Sequence, residues 1–223
     1  MVSMLVAGVD EAGRGCVIGP LVVAGVAVRI EQVPLLTELG VKDSKLLTPK
    51  KREELYAEIT RLTQMYKTIK LQPCVIDKVV ESSRRLHKLN RLEAQTMAEI
   101  IQALNPQEVY VDAADILEHR FRNHIKECLT IKTKITSKHK ADLIYPIVSA
   151  ASIIAKVERD QEIANLRLEY GDFGSGYLTD PKTKQFIAEW LKTNSQYPPC
   201  VRKSWKPAKK ALNEKGTTQQ KLV

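Results

Sequence analysis

The sequence predicts a mixed β-sheet with helices packed on it, and three observations support this fold class. Two apolar runs typical of buried strands, residues 4–9 and 21–28, follow each other with a glycine-containing turn between them. Three further strand-like runs are separated by segments with helical periodicity, and the last third of the chain is helical in pattern. Strands and helices in this order favour one sheet covered by helices.

The first half of the chain contains two clear helix patterns with a strand between them. Residues 48–62 begin with Thr48, which is suited to cap a helix, and Pro49, which is suited to its first turn. Residues 66–72 alternate as a half-buried strand does. Residues 90–104 carry apolar side chains at helical spacing, which predicts a helix with one buried side.

In the second half, strand patterns give way to helices. Residues 107–113 and 128–136 are predicted as the fourth and fifth strands, with a helix over residues 115–126 between them. Long helical patterns follow from about residue 146 to 170 and over residues 181–193. A basic tail with a short helix closes the sequence.

Length and charge indicate one main domain with a polyanionic partner. The 223 residues are enough for one substantial domain, and its least defined boundary lies near residue 180. The net charge of +9 comes from two zones, residues 120–140 and 201–223, each with seven Lys or Arg and one acid. Nucleic acid suits such zones, and a merely solvated basic surface is the alternative.

The cysteines and histidines argue against a zinc site and against a disulfide framework. The four cysteines are scattered without a C-x-x-C pair, and the four histidines have no ligand spacing. The opening residues have no cationic segment followed by an apolar stretch, and the longest apolar run, VIGPLVVAGVAV, is too short to span a bilayer. We therefore expect a cytoplasmic protein with reduced cysteines and no membrane partner.

Four acidic residues stand at the ends of predicted elements. Asp10 and Glu11 follow the first strand, Asp112 ends the fourth, and Asp142 precedes the long helix. Strand ends that face one crevice are where such sheets place their chemistry. Carboxylates without His or Cys suit hard cations such as Mg²⁺ or Mn²⁺, so a divalent-metal site is predicted here.

Each acid also has a purely structural interpretation, as a cap, a turn residue or an ion-pair partner. For a single aspartate at a strand end that interpretation is the commoner one. Asp115, at the predicted start of a helix, is assigned such a role as its N-cap. For Asp10 and Glu11 the following Gly13 and Gly15 favour a ligand site, because glycine lets backbone amides approach a ligand, although a tight turn would also need glycine.

Several long motifs resemble the ribonuclease HII family, most of all its archaeal members. In chain order they read GVDEAGRG, GVKDSKLLTPKKREEL, YVDAAD, HKADLIYPIVSAASIIAKVERD and YGDFGSGYLTDPKT. They extend from residue 5 to about residue 185, and CVRKSWK near residue 205 also fits the family. Five long motifs in the family's order make this resemblance specific.

The resemblance implies a ribonuclease H-like α/β fold. A five-stranded mixed sheet flanked by helices would occupy residues 1–180, and a basic helical extension over residues 181–223 would close over the substrate. The implied activity is endonucleolytic hydrolysis of RNA in RNA/DNA hybrids, and cleavage 5′ to a single ribonucleotide embedded in duplex DNA. The products would carry 3′-hydroxyl and 5′-phosphate ends. Such an enzyme would act as a monomer in DNA replication and ribonucleotide excision repair.

The family's four catalytic acids fall on Asp10, Glu11, Asp112 and Asp142. By resemblance these residues would hold two divalent ions, Mg²⁺ or Mn²⁺, for two-metal phosphoryl transfer. Such a mechanism needs no protein nucleophile, which agrees with the absence of a Ser/His or Cys/His arrangement in the sequence.

Substrate recognition falls on other matched positions. Gly13, Arg14 and Gly15 would sense the 2′-hydroxyl largely through their backbone, since that group distinguishes RNA from DNA. Tyr177 would pack on the sugar after the ribonucleotide; the alternative is an aromatic that fills a gap, although its GSG flank favours an exposed contact. On the long helix, Ser152, Lys156 and Arg159 lie on one face because they are spaced i, i+4, i+7. The positions that match phosphate contacts or support for the site are Lys45, Asn90, Lys156 and Arg159.

Two other functions compete with this interpretation. A non-catalytic nucleic-acid-binding protein would also be basic, but it gives no reason for acids at all four matched positions. A related nuclease acting on DNA would share the metal acids without needing both GRG and GSGY.

The last residues depart from the archaeal relatives, which often end in a short sliding-clamp motif with aromatic residues. Gln219 and Leu222 fit the first half of that motif, and no aromatic residue follows them. We therefore expect clamp binding to be weak or lost. The basic tail is expected to lie near duplex phosphates instead; its cations are Arg202, Lys203, Lys206, Lys209 and Lys210.

Overall fold

The computed structural model describes residues 3–41, 47–83 and 88–220, with side chains as far as residue 213. The strands are β1 Leu5–Ala12, β2 Leu21–Arg29, β3 Met65–Leu71, β4 Glu108–Asp112 and β5 Lys134–Lys138. The helices are α1 Val33–Glu38, α2 Pro49–Leu62, α3 Pro73–Glu81, α4 Lys88–Leu104, α5 Glu118–Glu127, α6 Ala141–Ile144, α7 Pro146–Tyr170, α8 Pro181–Thr193 and α9 Lys206–Gln220. Within the described ranges, no helix has the length and apolar character needed to cross a membrane.

The strands form one mixed sheet in the order β3-β2-β1-β4-β5, which confirms the predicted fold class. β1 and β2 pair antiparallel, from Leu5 opposite Arg29 to Ala12 opposite Val22. β4 lies parallel to β1, and β5 lies parallel to β4. The carboxyl ends of these three parallel strands therefore meet at one edge of the sheet.

The chain divides into two compact units, neither of them continuous in sequence. The sheet unit comprises residues 1–12, 22–70 and 85–158. The helical unit comprises residues 13–21, 71–84 and 159–223. The predicted boundary at residue 180 is of another kind, because it separates a catalytic part from an extension, and it stays a prediction.

In the sheet unit, β2 is apolar from Leu21 to Val28 because helices cover both faces of the sheet. Alternate residues of a strand point to opposite sides. Val22 and Val26 join a cluster with side chains of α2 and α7. Val23 and Ala27 join a second cluster with side chains of α4 and α5. A continuous apolar run is what a strand buried on both faces requires.

Gly8 sets how closely α7 approaches β1. A Cβ atom at this position would lie 2.3 Å from the carbonyl oxygen of Ile147, in the first turn of α7. Only glycine accommodates such a contact without moving the helix. The start of α7 is thereby held against the strand that carries Asp10 two residues later.

The helical unit has its own apolar core. Phe173, Ile187 and Leu191 are buried in it, together with side chains from the segment that follows β1. A backbone bridge joins Ile18 to Val201. Residues far apart in sequence thus share one cluster.

Most predicted helices are confirmed at nearly the predicted residues. The hydroxyl of Thr48 accepts a hydrogen bond from the N–H of Lys51 at 3.2 Å, so the predicted cap of α2 is present. α7 and α8 have the predicted bounds. The sequence does not predict α1, α3 and α6, because four to nine residues give too little periodicity to identify a helix.

The predicted fifth strand lies too early in the sequence. β5 covers Lys134–Lys138 rather than residues 128–136. The apolar side chains of Leu129 and Ile131 pack against the core from a loop. The alternation of apolar and polar residues in this loop is therefore the same as in a strand, which explains the wrong prediction.

Asp115 is not the N-cap that the sequence predicts. α5 begins at Glu118, and Leu117 occupies its N-cap position. The Asp115 carboxylate instead accepts the N–H of Leu117 at 3.0 Å and the Nε–H of Arg120 at 2.9 Å. Asp115 therefore has a structural role, but it holds Leu117 and Arg120 instead of capping α5.

Candidate active site

Asp10 and Glu11 lie within β1, which continues through them to Ala12. Asp10 is opposite Ala24 in the antiparallel ladder with β2, and only 4% of it is exposed. Its Oδ1 accepts the backbone N–H of Glu11 at 2.7 Å. The strand thus carries a buried carboxylate whose orientation is fixed by the next residue.

Asp112 reaches the same edge of the sheet from β4. The parallel ladder pairs Val9 with Val111, and Asp10 and Asp112 are the next residues on their strands. Asp112 Oδ1 accepts the backbone N–H of Ala141 at 2.8 Å. One carboxylate therefore fixes the start of α6, whose next residue is the fourth acid, Asp142.

Asp142 occupies the first turn of α6 and is buried. Its backbone carbonyl accepts the hydroxyl of Ser149, in α7, at 2.5 Å. The predicted position just before the long helix is correct, but a separate short helix carries the residue. Two contacts at the first two residues of α6 thus hold Asp142 near the end of β4.

The electrostatics of Asp10 show that these carboxylates interact. Burial raises its pKa to about 8, and the like charges of Asp112 and Asp142 add to the increase. Hydrogen bonds from the Ser152 side chain and the Glu11 backbone act in the opposite direction. None of these main influences is a cationic side chain. A bound cation would offset the repulsion among these like charges.

The residues fit a hard divalent cation by donor type and by charge. All four side chains offer carboxylate oxygens, which Mg²⁺ and Mn²⁺ prefer. Among the described residues, however, no group of three or more His, Cys, Asp or Glu is arranged to hold an ion. Magnesium sites usually combine one or two carboxylates with waters and substrate phosphates rather than forming a complete protein shell. The arrangement therefore fits ions that bind together with a substrate.

The GRG loop, residues 13–15, belongs to the helical unit. Gly13 has φ of +85°, and a Cβ atom there would lie 2.7 Å from the Pro20 carbonyl oxygen. Gly15 is exposed, and its N–H has no hydrogen-bond partner within the part of the chain that the structure describes. The Arg14 side chain is half-buried. The loop thus presents a backbone donor at the surface, as recognition through the backbone requires.

Arg202 contradicts the prediction that it lies near duplex phosphates, because it is fully buried at 0% exposure. Its guanidinium donates to the carbonyl oxygens of Gly13 at 2.7 Å, Arg14 at 2.8 Å and Gly19 at 3.1 Å. A further contact of 3.0 Å joins it to the sulfur of Cys16. Carbonyl dipoles take the place of water around this charge, so its partner is the loop.

Tyr177 lies beside the GRG loop. The carbonyl of Gly176 accepts the N–H groups of Val17 at 2.8 Å and Ile18 at 3.2 Å, which ties the two segments together. A Cβ atom at Gly15 would lie 3.9 Å from the Tyr177 ring. Two stretches predicted to read the ribonucleotide therefore form one surface of the helical unit.

Arg159 packs against the ring of Tyr177. Its guanidinium carbon lies 4.9 Å from the centre of the Tyr177 ring, and its Nη2 donates to the Ser175 carbonyl at 2.6 Å. Arg159 is 1% exposed, so in this structure it supports the site and does not meet a phosphate. Burial raises the pKa of Tyr177, which keeps its hydroxyl protonated.

The remaining predicted residues lie in different places. Lys45 falls outside the described residues. Asn90 donates to Asp115 Oδ2 at 2.9 Å, within the structural contacts of that residue. Lys156 is half-buried on α7, one turn beyond Ser152, the residue whose side chain bonds Asp10. Of these, only Lys156 lies on the helix face that supports the acids.

Sequence reasoning missed Asp77, on α3. Its carboxylate accepts the N–H groups of Lys203 at 2.9 Å and Ser204 at 3.0 Å, and the Ser204 hydroxyl at 2.6 Å. The residues are more than a hundred positions apart, and two of the three contacts use backbone N–H groups. No local pattern in the sequence could reveal them.

Comparison with known proteins agrees with the predicted resemblance. The chain matches the Ribonuclease HII family over residues 7–208. A ribonuclease HII of Pyrococcus abyssi is 46% identical over 209 residues, which are 93% of this chain and 91% of the relative. The crystal structure of the ribonuclease H2 from Pyrococcus horikoshii OT3 has a TM-score of 0.87 and 44% identity, covering 96% of this chain and 99% of that one.

A second solved structure is a PCNA:RNase HII complex from Archaeoglobus fulgidus. Its TM-score is 0.82 at 43% identity, with 91% of this chain and 96% of that one covered. Together with the sheet order, these similarities confirm the predicted ribonuclease H-like fold.

Proposed function

Because the chain belongs to the ribonuclease HII family and is therefore a ribonuclease H, we propose that it hydrolyses the RNA strand of RNA/DNA hybrids. We also propose that it cuts duplex DNA on the 5′ side of a single embedded ribonucleotide. The products would carry 3′-hydroxyl and 5′-phosphate ends. The observation that carries the proposal is the meeting of acids from β1, β4 and α6 at one edge of the sheet, with Asp10 and Asp142 buried there.

Asp10, Glu11, Asp112 and Asp142 would hold the divalent cations on which this family depends, and we propose two ions, Mg²⁺ or Mn²⁺. When bound, such cations lower the pKa of the attacking water and stabilise the leaving 3′ oxygen. Asp10 is oriented by the Glu11 N–H and by Ser152, so it would meet the ions in a fixed position. Asp112 holds α6 and thereby places Asp142.

The helical unit would provide recognition of the ribose. The N–H of the exposed Gly15 would donate to the 2′-hydroxyl, the group that separates RNA from DNA at one position. Tyr177, supported by Arg159, would pack on the sugar after the ribonucleotide and test the junction with DNA. Gly13 and Arg14 would contribute by shaping the loop backbone.

Other residues would contribute less to specificity. Lys45 and Lys156 would meet phosphates, and Asn90 would support the site through Asp115. Surface cations of residues 201–223 would lie near the duplex and make affinity sensitive to salt. In the cell, the protein would act as a cytoplasmic monomer in DNA replication and in ribonucleotide excision repair.

Cleavage of a defined duplex tests this function. The purified protein is incubated with a DNA duplex carrying one internal ribonucleotide, with Mg²⁺, with Mn²⁺ or with EDTA, and the cut is mapped on a sequencing gel. A metal-dependent nick on the 5′ side of the ribonucleotide is expected. If the protein cleaves only long hybrids, the proposed junction-sensing role of Tyr177 is wrong. Absence of any cleavage would favour the non-catalytic binding protein.

Sliding-clamp binding is a separate question. The Archaeoglobus fulgidus relative was solved in complex with PCNA. In this chain Gln219 and Leu222 match the first half of the clamp-binding motif described above. We propose that binding to the clamp is weak, and titration calorimetry with a purified archaeal clamp would measure it.

A further inference from the structure

The carbonyl groups of the GRG loop point inward, toward one buried side chain. Arg202 Nη2 bonds the Gly13 carbonyl and Arg202 Nη1 bonds the Arg14 carbonyl. Its Nε bonds the carbonyl of Gly19, so one guanidinium holds both ends of the segment. Three carbonyls on a planar, five-donor group define its position more tightly than any single contact would.

The direction of these carbonyls fixes the direction of the loop's N–H groups. A trans peptide is planar, and its C=O and N–H point to opposite sides. No described peptide bond is cis. The peptide whose carbonyl belongs to Arg14 carries the N–H of Gly15, and the peptide whose carbonyl belongs to Gly13 carries the N–H of Arg14. Drawing both carbonyls inward therefore turns both N–H groups outward.

Arg202 is itself held in place from two sides. Its own N–H donates to the Val17 carbonyl at 2.8 Å. The next two residues, Lys203 and Ser204, donate their N–H groups to Asp77. Its guanidinium carbon also lies 4.9 Å from the ring centre of Trp205. The group that orients the loop is thus tied to α3 through the two residues that follow it.

We propose that Arg202 is the positioning residue that sets ribonucleotide specificity, by aiming the N–H groups of Arg14 and Gly15 at the 2′-hydroxyl. This inference rests on the proposed function, because it assumes that the loop senses this hydroxyl. Arg202 touches neither substrate nor metal, and it acts through the two peptide planes that it orients.

The test measures binding, so that it does not depend on turnover. In an Asp10→Asn background with Mg²⁺, fluorescence anisotropy gives the Kd for a DNA duplex with one ribonucleotide and for the same duplex made entirely of DNA. The ratio of the two Kd values is the specificity. We expect Arg202→Gln to reduce this ratio by about tenfold, the effect of about one missing hydrogen bond, with the all-DNA Kd changed less than about twofold.

Matched variants separate this role from general effects. Lys203→Gln removes the neighbouring cation and should weaken binding to both duplexes equally. The ratio of the two Kd values would then stay unchanged. Arg202→Lys keeps the charge but cannot bond three carbonyls together, so an intermediate ratio is expected. Hydrogen exchange of residues 13–19 should rise in both Arg202 variants. If Arg202→Gln does not fold, the Lys variant decides.

The outcomes distinguish two failures. If the Asp10→Asn parent has no preference for the ribonucleotide duplex, the hydroxyl-sensing part of the proposed function is wrong, and this inference with it. If the parent prefers that duplex and a folded Arg202 variant keeps the full ratio, only the positioning role of Arg202 is wrong.

Discussion

The two units of this protein bury charge in opposite ways. In the sheet unit, carboxylates of like sign gather at one edge, and the pKa of Asp10 rises to about 8. In the helical unit, the buried Arg202 donates to three backbone carbonyls, and the buried Arg159 donates to the Ser175 carbonyl and pairs with the Asp160 carboxylate. The first group is dominated by like charges, whereas in the second every guanidinium nitrogen of Arg202 donates to a backbone carbonyl.

This contrast suggests a division of labour. A cluster completed only by its ligand suits chemistry, because the cation and the scissile phosphate would enter together. A loop already fixed by buried donors suits recognition, because little further ordering is needed when the substrate binds. Substitutions that disrupt one group at a time should therefore separate turnover from recognition.

The largest effect is expected at Asp10. Asp10→Asn removes a charge that the divalent ions need, so kcat should fall at least about a thousandfold while hybrid binding stays measurable. Gel assays and anisotropy on the same preparation measure the two quantities. Asp172→Asn is the control, since it neutralises an exposed acid of the helical unit that pairs with Lys182. Full activity of Asp10→Asn would end the assignment of the acids.

The second prediction concerns pH and stability without metal. Unfolded Asp10 titrates near 3.8 and folded Asp10 near 8, so between these values the folded state keeps a proton that the unfolded state releases. Rising pH from about 5 to 8 in EDTA should therefore lower the free energy of unfolding. Asp10→Asn should lack this decline, and Mg²⁺ should reverse it in the wild type by binding the folded state.

Thermal unfolding measures this decline. For a chain of this size, each kcal/mol lost from the free energy of unfolding lowers Tm by about 2–4 °C. Because Asp112 and Asp142 raise the same pKa, Asp112→Asn should weaken the dependence without abolishing it. Identical pH profiles for wild type and Asp10→Asn would show that the folded state does not raise the pKa of Asp10.

The third prediction addresses recognition alone. Tyr177→Ala removes the ring that Arg159 supports and should lower kcat/KM on a single-ribonucleotide duplex by about tenfold, with a smaller loss on long hybrids. Tyr177→Phe tests the hydroxyl separately. Tyr66→Ala, at an exposed tyrosine of the sheet unit, is the control. Equal losses on both substrates would contradict the division between the units.

How much the sequence could reveal differs between the two regions. Asp10 and Asp112 are recognisable because they stand at or near strand ends, and parallel strands bring such ends together. The sequence does not reveal α6, which carries Asp142, because four residues show no period. The sheet-unit acids thus follow largely from local patterns.

The supports of the helical unit do not follow from local patterns. Arg202 reaches the Gly13 carbonyl across 189 positions, and Asp77 reaches Lys203 across 126. Both contacts use backbone atoms, which every residue has. Arg202 stands in a run of basic residues, and a surface contact with phosphate is what such a run ordinarily indicates. Only the fold separates this buried arginine from its exposed neighbours.

The smallest effect is expected at those neighbouring lysines. Lys203→Gln and Lys206→Gln should each reduce the slope of log Kd against log salt by about 0.9 for every phosphate that the side chain no longer neutralises, with roughly a two- to threefold loss of affinity. The loss should be equal for ribonucleotide and all-DNA duplexes. Lys51→Gln, in α2 of the sheet unit, is the control for a general change of charge.

Arg202→Gln should show the opposite pattern. A fully buried guanidinium releases no counterions when DNA binds, so its loss should leave the salt slope unchanged while altering the ratio of the two Kd values. The lysines should change the slope and leave the ratio alone. A changed slope for Arg202→Gln would show that this side chain does meet phosphate in the complex, and the helical unit would then hold its charge for the substrate, as the sheet unit does.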